Sequence, residues 1–151
     1  EANEYKDYIL GFIFYKFLSD KEVDFLKKDG YEEADLQEHV HENNEELVDY
    51  CQQHLGYFIA YDNLFSTWLD KGNSFTVDNV RTALSAFNRL ISDTQKKVFS
   101  KIFNTLETGL SKLGDSTSNQ TKAIRDLIQL IKDIPTDGRQ DYDVLGWEEG
   151  R

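Results

Sequence analysis

At 151 residues the chain is the size of one domain, and its 10 Phe, 8 Tyr and 2 Trp supply enough apolar area to exclude disorder despite a net charge of −11. The single cysteine, Cys51, rules out an intrachain disulfide and suits a reducing compartment. Nine glycines without one Gly-x-Gly, and a single proline, Pro135, exclude a dinucleotide loop and any motif with adjacent prolines; a GxxxxGK[ST] phosphate loop is also absent.

The elements read as helical along the whole chain. Tyr5 to Leu18 places apolar residues all around a helical wheel, with Tyr8, Phe12 and Tyr15 on one side and Ile13 and Phe17 nearly opposite. A helix apolar on every side belongs at the centre of a bundle. The run is too long for a strand and lacks period-two alternation. Its most apolar part, Ile9 to Leu18, contains Lys16 and is too short to cross a bilayer. A break is expected near Ser19-Asp20, with continuation through Val23, Phe25 and Leu26 to a stop at Gly30.

Residues 31–55 read as an acidic, mostly surface segment with short helices ending at Gly56, and Tyr57-Phe-Ile-Ala-Tyr61 as an apolar connector, either a short strand or a buried loop. A short helix follows around Asn63 to Leu69, then a turn at Lys71-Gly-Asn73. Thr76 is the N-cap expected for a helix through Val80, Leu84, Phe87 and Ile91. Ser92-Asp-Thr-Gln95 has the capping-box form and opens a helix whose expected buried face is Val98, Ile102, Leu106, Leu110 and Leu113, stopping at Gly114. A second box, Thr117-Ser-Asn-Gln120, precedes a helix carrying Ile124, Leu127, Ile128 and Ile131, which Pro135 terminates. Thr136 to Tyr142 reads as loop. The fold expected is all-α, a single bundle of six or seven helices.

Charge is unevenly spread. Residues 1–70 hold 17 acidic and 5 basic side chains, net −12, whereas residues 81–132 hold 9 basic and 4 acidic, net +5. Within that basic stretch Lys96, Lys97 and Lys101 share one helix, and Lys122, Arg125 and Lys132 lie on the last helix. Side chains of this type on a helix surface can reach phosphate oxygens without reading bases; as readily, they serve only solubility.

One metal constellation stands out: His39-x-His41 and Cys51-x-x-His54 gather every histidine and the only cysteine within sixteen residues. On a helix His39 and His41 would point to nearly opposite sides, so both could ligate only from a loop or strand. The competing reading is polar helix surface with one semi-buried thiol, in an acidic setting that opposes thiolate formation. His41-Glu-Asn-Asn-Glu45 lacks the second histidine of HExxH, and no catalytic or cofactor-binding residue is identified.

Glu4-Tyr-Lys-Asp-Tyr-Ile-Leu-Gly-Phe-Ile-Phe-Tyr-Lys-Phe-Leu-Ser-Asp20 resembles the opening helix of the N-terminal domain of type I restriction–modification methyltransferase (M) subunits. The similarity continues in Gly56-Tyr-Phe-Ile, Leu84-Ser-Ala-Phe-Asn88, Val98-Phe-Ser-Lys-Ile-Phe-Asn104, Leu110-Ser-Lys-Leu-Gly114 and Asp141-Tyr-Asp-Val-Leu-Gly146, and is weakest from Tyr31 to His54. The resemblance implies an all-helical domain, residues 1–146, placed before a catalytic domain that transfers a methyl group from S-adenosylmethionine to adenine N6. That catalytic domain needs an Asn-Pro-Pro-aromatic motif and a glycine-rich loop, and this chain has neither. So no enzyme activity and no cofactor are expected of the fragment itself.

The resemblance also implies that such domains clamp DNA and contact the specificity subunit and a second methyltransferase subunit. It allows the restriction subunit as a further partner, and implies a bacterial or archaeal cytoplasm, without a membrane, as the setting. The competing class is a helical protein-interaction module that does not bind DNA. Trp147-Glu-Glu-Gly-Arg151 departs from the family pattern and reads as a truncation scar or vector-encoded tail. With Glu1 in first place and no methionine, the chain is expected to be a piece of a longer protein.

Overall fold

The computed structural model describes residues 2–136, with side chains from residue 6 onward. Asp137 to Arg151, which include the last family-like block and the divergent tail, lie outside the described residues. The described part is all-α. It comprises α1 (Ala2–Lys28), α2 (Glu33–His39), α3 (Glu45–Leu55), α4 (Phe65–Lys71), α5 (Val77–Leu90), α6 (Asp93–Leu110) and α7 (Thr117–Ile131), with 3-10 turns at Tyr61–Asn63 and Gly72–Ser74 and no strand among these residues.

Helix α1 is the centre of the bundle, as its all-round apolarity requires. Phe12, Phe14, Tyr15, Phe17 and Leu18 are all buried, packed with residues of α4 to α7 in one core. Aromatic stacking dominates that core: Tyr15 lies parallel to Trp68 at 5.0 Å between ring centroids, and Phe87 meets Phe103 edge-on at 4.8 Å. The approach of α6 to α1 depends on two glycines. A Cβ on Gly11 would lie 2.8 Å from Leu106 Cγ, and one on Gly109 would fall within the Tyr8 ring.

No break occurs at Ser19-Asp20. The Ser19 side chain is buried, and its hydroxyl oxygen accepts the Phe65 backbone N–H at 2.8 Å instead of competing with the helix. Three neighbouring bonds tie the same helix to the 57–65 connector. Tyr15 Oη donates to Asn63 O at 2.9 Å, Tyr57 Oη donates to Leu18 O at 2.8 Å, and the Ile59 N–H donates to Glu22 Oε1 at 2.8 Å. The connector is therefore a buried loop, with its backbone satisfied by α1 side chains in place of strand partners.

The 31–55 segment does form short helices and ends at Gly56, which caps α3 at a left-handed φ of 92°. It is less superficial than its composition implies. Leu36, Val40, Leu47, Val48 and Cys51 form a second core with Leu26 and Phe58.

Two of the three expected capping arrangements differ in detail. Thr76 opens α5, with Asn79 Oδ1 accepting its backbone N–H at 2.8 Å. Ser92 is the N-cap of α6, but its hydroxyl pairs with that of Thr94 at 3.2 Å and makes no cap bond; the Gln95 side chain instead packs against Gly56. For α7 the N-cap is Ser116, one residue earlier than expected, accepting the Asn119 N–H at 3.1 Å. Gln120 is drawn away to Arg81 Nη2 at 3.0 Å and the Gly114 carbonyl at 3.2 Å.

Candidate nucleic-acid interface

The orientation of α6 decides what its lysines can do. Two apolar stripes compete on this helix, and the aromatic one wins: Phe99, Phe103, Leu106 and Leu110 are buried, whereas Val98 is 60% exposed. Of the expected face, Leu106 and Leu110 are buried and Ile102 and Leu113 pack half-buried against the core; Val98 is the member turned out to solvent, its inward place taken by the larger Phe99 ring. With Phe99 and Phe103 turned inward, Lys96, Lys97 and Lys101 stand exposed. Lys97 and Lys101 are adjacent on one face at i, i+4.

The basic residues around them are occupied. Arg89 donates to Glu42 Oε1 at 2.7 Å, and this partner holds its guanidinium above its ordinary pKa. Arg81 donates to Asp78 at 3.3 Å and to Gln120. On α7 Lys122 pairs with Asp126 at 3.1 Å, and just past the helix end Lys132 pairs with Asp133 at 3.3 Å, both in exposed positions. Arg125 is half-buried and donates to Phe75 O at 2.8 Å and Asn73 O at 3.3 Å, tying α7 to the turn before α5. A guanidinium used in this way is a structural clasp and is poorly placed for phosphate. Of the six basic candidates, Lys96, Lys97 and Lys101 are those that no described side chain or carbonyl engages.

The surface of α2 and α3 is acidic. Helices α2 and α3 carry Glu33, Asp35, Glu38, Glu45, Glu46 and Asp49 and no lysine or arginine. Here the four metal candidates are kept apart by different duties. His41 Nε2 lies 2.6 Å from Gln37 O, His54 packs on Tyr50 at 4.5 Å, and His39 sits edge-on to Tyr31 at 6.4 Å. Cys51 is fully buried in the second core, where desolvation first and the nearby Glu22 second push its thiol up to about 12. The acidic setting anticipated for this thiol is present, but burial is the larger cause. Among the described residues the ligand atoms that do converge are those of Asp35, Glu38 and His39, all within 4.8 Å on the surface of α2.

Glu22 is the residue that sequence reasoning missed. It is completely buried beneath the connector, where desolvation raises its carboxyl well above the usual range and the Ile59 N–H offsets only part of that shift. Its second oxygen has no partner among the described residues. Nothing in the sequence separates Glu22 from the surface acids on either side of it, since its hydrogen-bond donor lies 37 residues away.

The described residues thus define an all-α bundle with an acidic surface on α2 and α3 and exposed lysines on α6. The family model of the HsdM N-terminal domain matches residues 1–131, and the chain belongs to that family. Among solved structures it is similar to the type I restriction-modification system methyltransferase subunit from Streptococcus thermophilus, with a TM-score of 0.74 and 24% identity. That likeness covers 97% of this chain and 32% of the other, so the chain spans about a third of that subunit's length. No curated protein matches. Among the described residues no helix is long and apolar enough to cross a membrane.

Proposed function

We propose that this chain is the non-catalytic N-terminal domain, residues 1–146, of a type I restriction–modification methyltransferase subunit, and that it holds DNA through phosphate contacts from α6. The observation that carries the DNA contact is the set of exposed lysines, Lys96, Lys97 and Lys101, that no described side chain or carbonyl engages. Phosphate contacts from such a face position a duplex without reading its sequence. Family membership supports the rest of the reading. A separate domain of the parent subunit transfers the methyl group from S-adenosylmethionine to adenine N6, with a specificity subunit, a second methyltransferase subunit and, in a restricting assembly, a nuclease subunit as partners in the cytoplasm. Residues of this chain hold no cofactor in that scheme, since the sequence contains neither Gly-x-Gly nor adjacent prolines.

Lysine acetylation footprinting with and without a DNA duplex tests the surface. Protection of Lys96, Lys97 and Lys101, with Lys21 and Lys27 unchanged, is the expected result. Protection confined to other lysines, or none, overturns it. The second reading, a module that binds only protein, is favoured by Leu130, which α7 leaves 70% exposed. It predicts no footprint with DNA.

A further inference from the structure

The two cores are built from different stretches of chain. No buried residue of the first comes from 31–55, whereas Leu36, Val40, Leu47, Val48 and Cys51 of the second all do. That stretch is bracketed by Gly30 and Gly56, both in the left-handed region at φ 101° and 92°. Around Gly30 there is open space: a Cβ added there would meet nothing within 4 Å. Residues 31–55 thus make a lobe with its own apolar centre and a glycine at each end.

The lobe is attached mainly by bonds near the surface. Arg89 holds Glu42 at 2.7 Å in exposed positions, and Gln52 Nε2 donates to Leu90 O at 2.7 Å. The Tyr61 N–H donates to Val40 O at 2.7 Å. Val23, Leu55 and Tyr61 form the apolar seam, half-buried and packed against both cores.

Glu22 lies where the cores meet. Its charge acts on Tyr15 of the first and on Cys51 of the second. From the connector it receives the Ile59 N–H; the Tyr57 hydroxyl is turned to Leu18 O, and Asp62 is exposed. No lysine or arginine among the described residues pairs with it, and its second oxygen has no partner there. A carboxylate at this place can be hydrated only if one of its walls moves. The connector is pinned to α1 by Tyr15, Ser19 and Tyr57, with Tyr57 and Ile59 buried in the first core. The lobe, held from the surface and free to turn at Gly30, is the wall that yields.

We infer that residues 31–55 form a hinged lobe that swings away from α1 when Glu22 loses its proton to solvent, with Gly30 and Gly56 as pivots and the rest of the bundle intact. Opening carries the acidic surface of α2 and α3 with it. It also bares Leu26 and Phe58, the members of the second core that belong to α1 and the connector. Burial favours the neutral acid, so the closed form is the low-pH form and opening grows as pH rises.

Hydrogen–deuterium exchange read by mass spectrometry tests this on the full 151-residue chain. Labelling at about pH 7 and about pH 9, with times scaled for the intrinsic exchange rate, separates the lobe from the bundle. Peptides within 31–55 should lose protection by up to about tenfold per pH unit, while those of α6 and α7 keep theirs. In Glu22→Gln the lobe should stay protected at both values. Loss shared by the whole chain, loss equal in Glu22→Gln, or no loss would overturn the inference. The surface variant Arg89→Gln gives a second readout: protection within 31–55 should already fall at about pH 7. An equal fall in α6 and α7, or none anywhere, would show that no separate lobe exists.

Discussion

Replacing Glu22 by glutamine should remove a specific pH dependence from the stability of this domain. The side chain is fully buried, one oxygen accepts the Ile59 N–H at 2.8 Å, and the other has no described partner. Burial therefore favours the protonated acid, and the folded-state pKa lies well above the usual glutamate value. The sign follows from proton counting. Between the unfolded and the raised folded pKa, the native state keeps a proton that the unfolded chain has released. Stability from this group is whole below the unfolded value and is lost as pH rises toward the folded one, at no more than about 1.4 kcal/mol per pH unit.

Tyr15 and Cys51, which sense the same carboxyl, both have raised pKa values themselves and stay neutral through that window. Glutamine keeps an oxygen for the Ile59 N–H and cannot ionise. Urea unfolding followed by far-UV circular dichroism, at intervals from about pH 5 to pH 7, should show the variant gaining on wild type as pH rises, by up to about 2.7 kcal/mol across the range. A gap between the two proteins that is independent of pH would refute the buried-acid argument.

Two further outcomes concern packing. Gly109→Ala should destabilise the domain by about 1–3 kcal/mol and lower its melting temperature, since the new methyl group falls within the Tyr8 ring at the α1–α6 contact. Cys51, buried and with its thiol pushed up to about 12, should react with a thiol reagent at neutral pH only after denaturant is added; prompt reaction of the native chain would contradict the second core.

The helical fold and the central place of α1 follow from pattern alone, because an unbroken run apolar on every side has few other homes. So do the ends of most helices, from Gly30, Gly56, Thr76 and Pro135. Sequence patterning failed where two solutions were locally equal. On α6 Val98 and Phe99 both extend the Ile102, Leu106 and Leu110 stripe at helical spacing, and only the aromatic cavity formed by Phe14 and Phe87 selects Phe99. Ser116 and Thr117 are both competent caps, and Gln120 is drawn off by Arg81, a residue from another helix. The same limit applies to the basic surface. Spacing put six residues on it, but whether a lysine is free or an arginine is bonded to a carbonyl across the bundle depends on partners as much as 52 residues distant. Cys51 and the histidines illustrate the converse: closeness in sequence brought them onto neighbouring elements without bringing their ligand atoms together.

The claim that α6 is a phosphate-binding face is tested most directly by the salt dependence of duplex binding. The wild-type chain and a Lys96→Gln, Lys97→Gln, Lys101→Gln variant would be compared by fluorescence anisotropy over a salt series. Each lysine engaged on a phosphate releases counterions worth about 0.9 units of log–log slope, so the variant should bind more weakly and with a slope about 2.7 units shallower. Equal slopes for the two proteins, or wild-type affinity that salt leaves unchanged, would contradict the account.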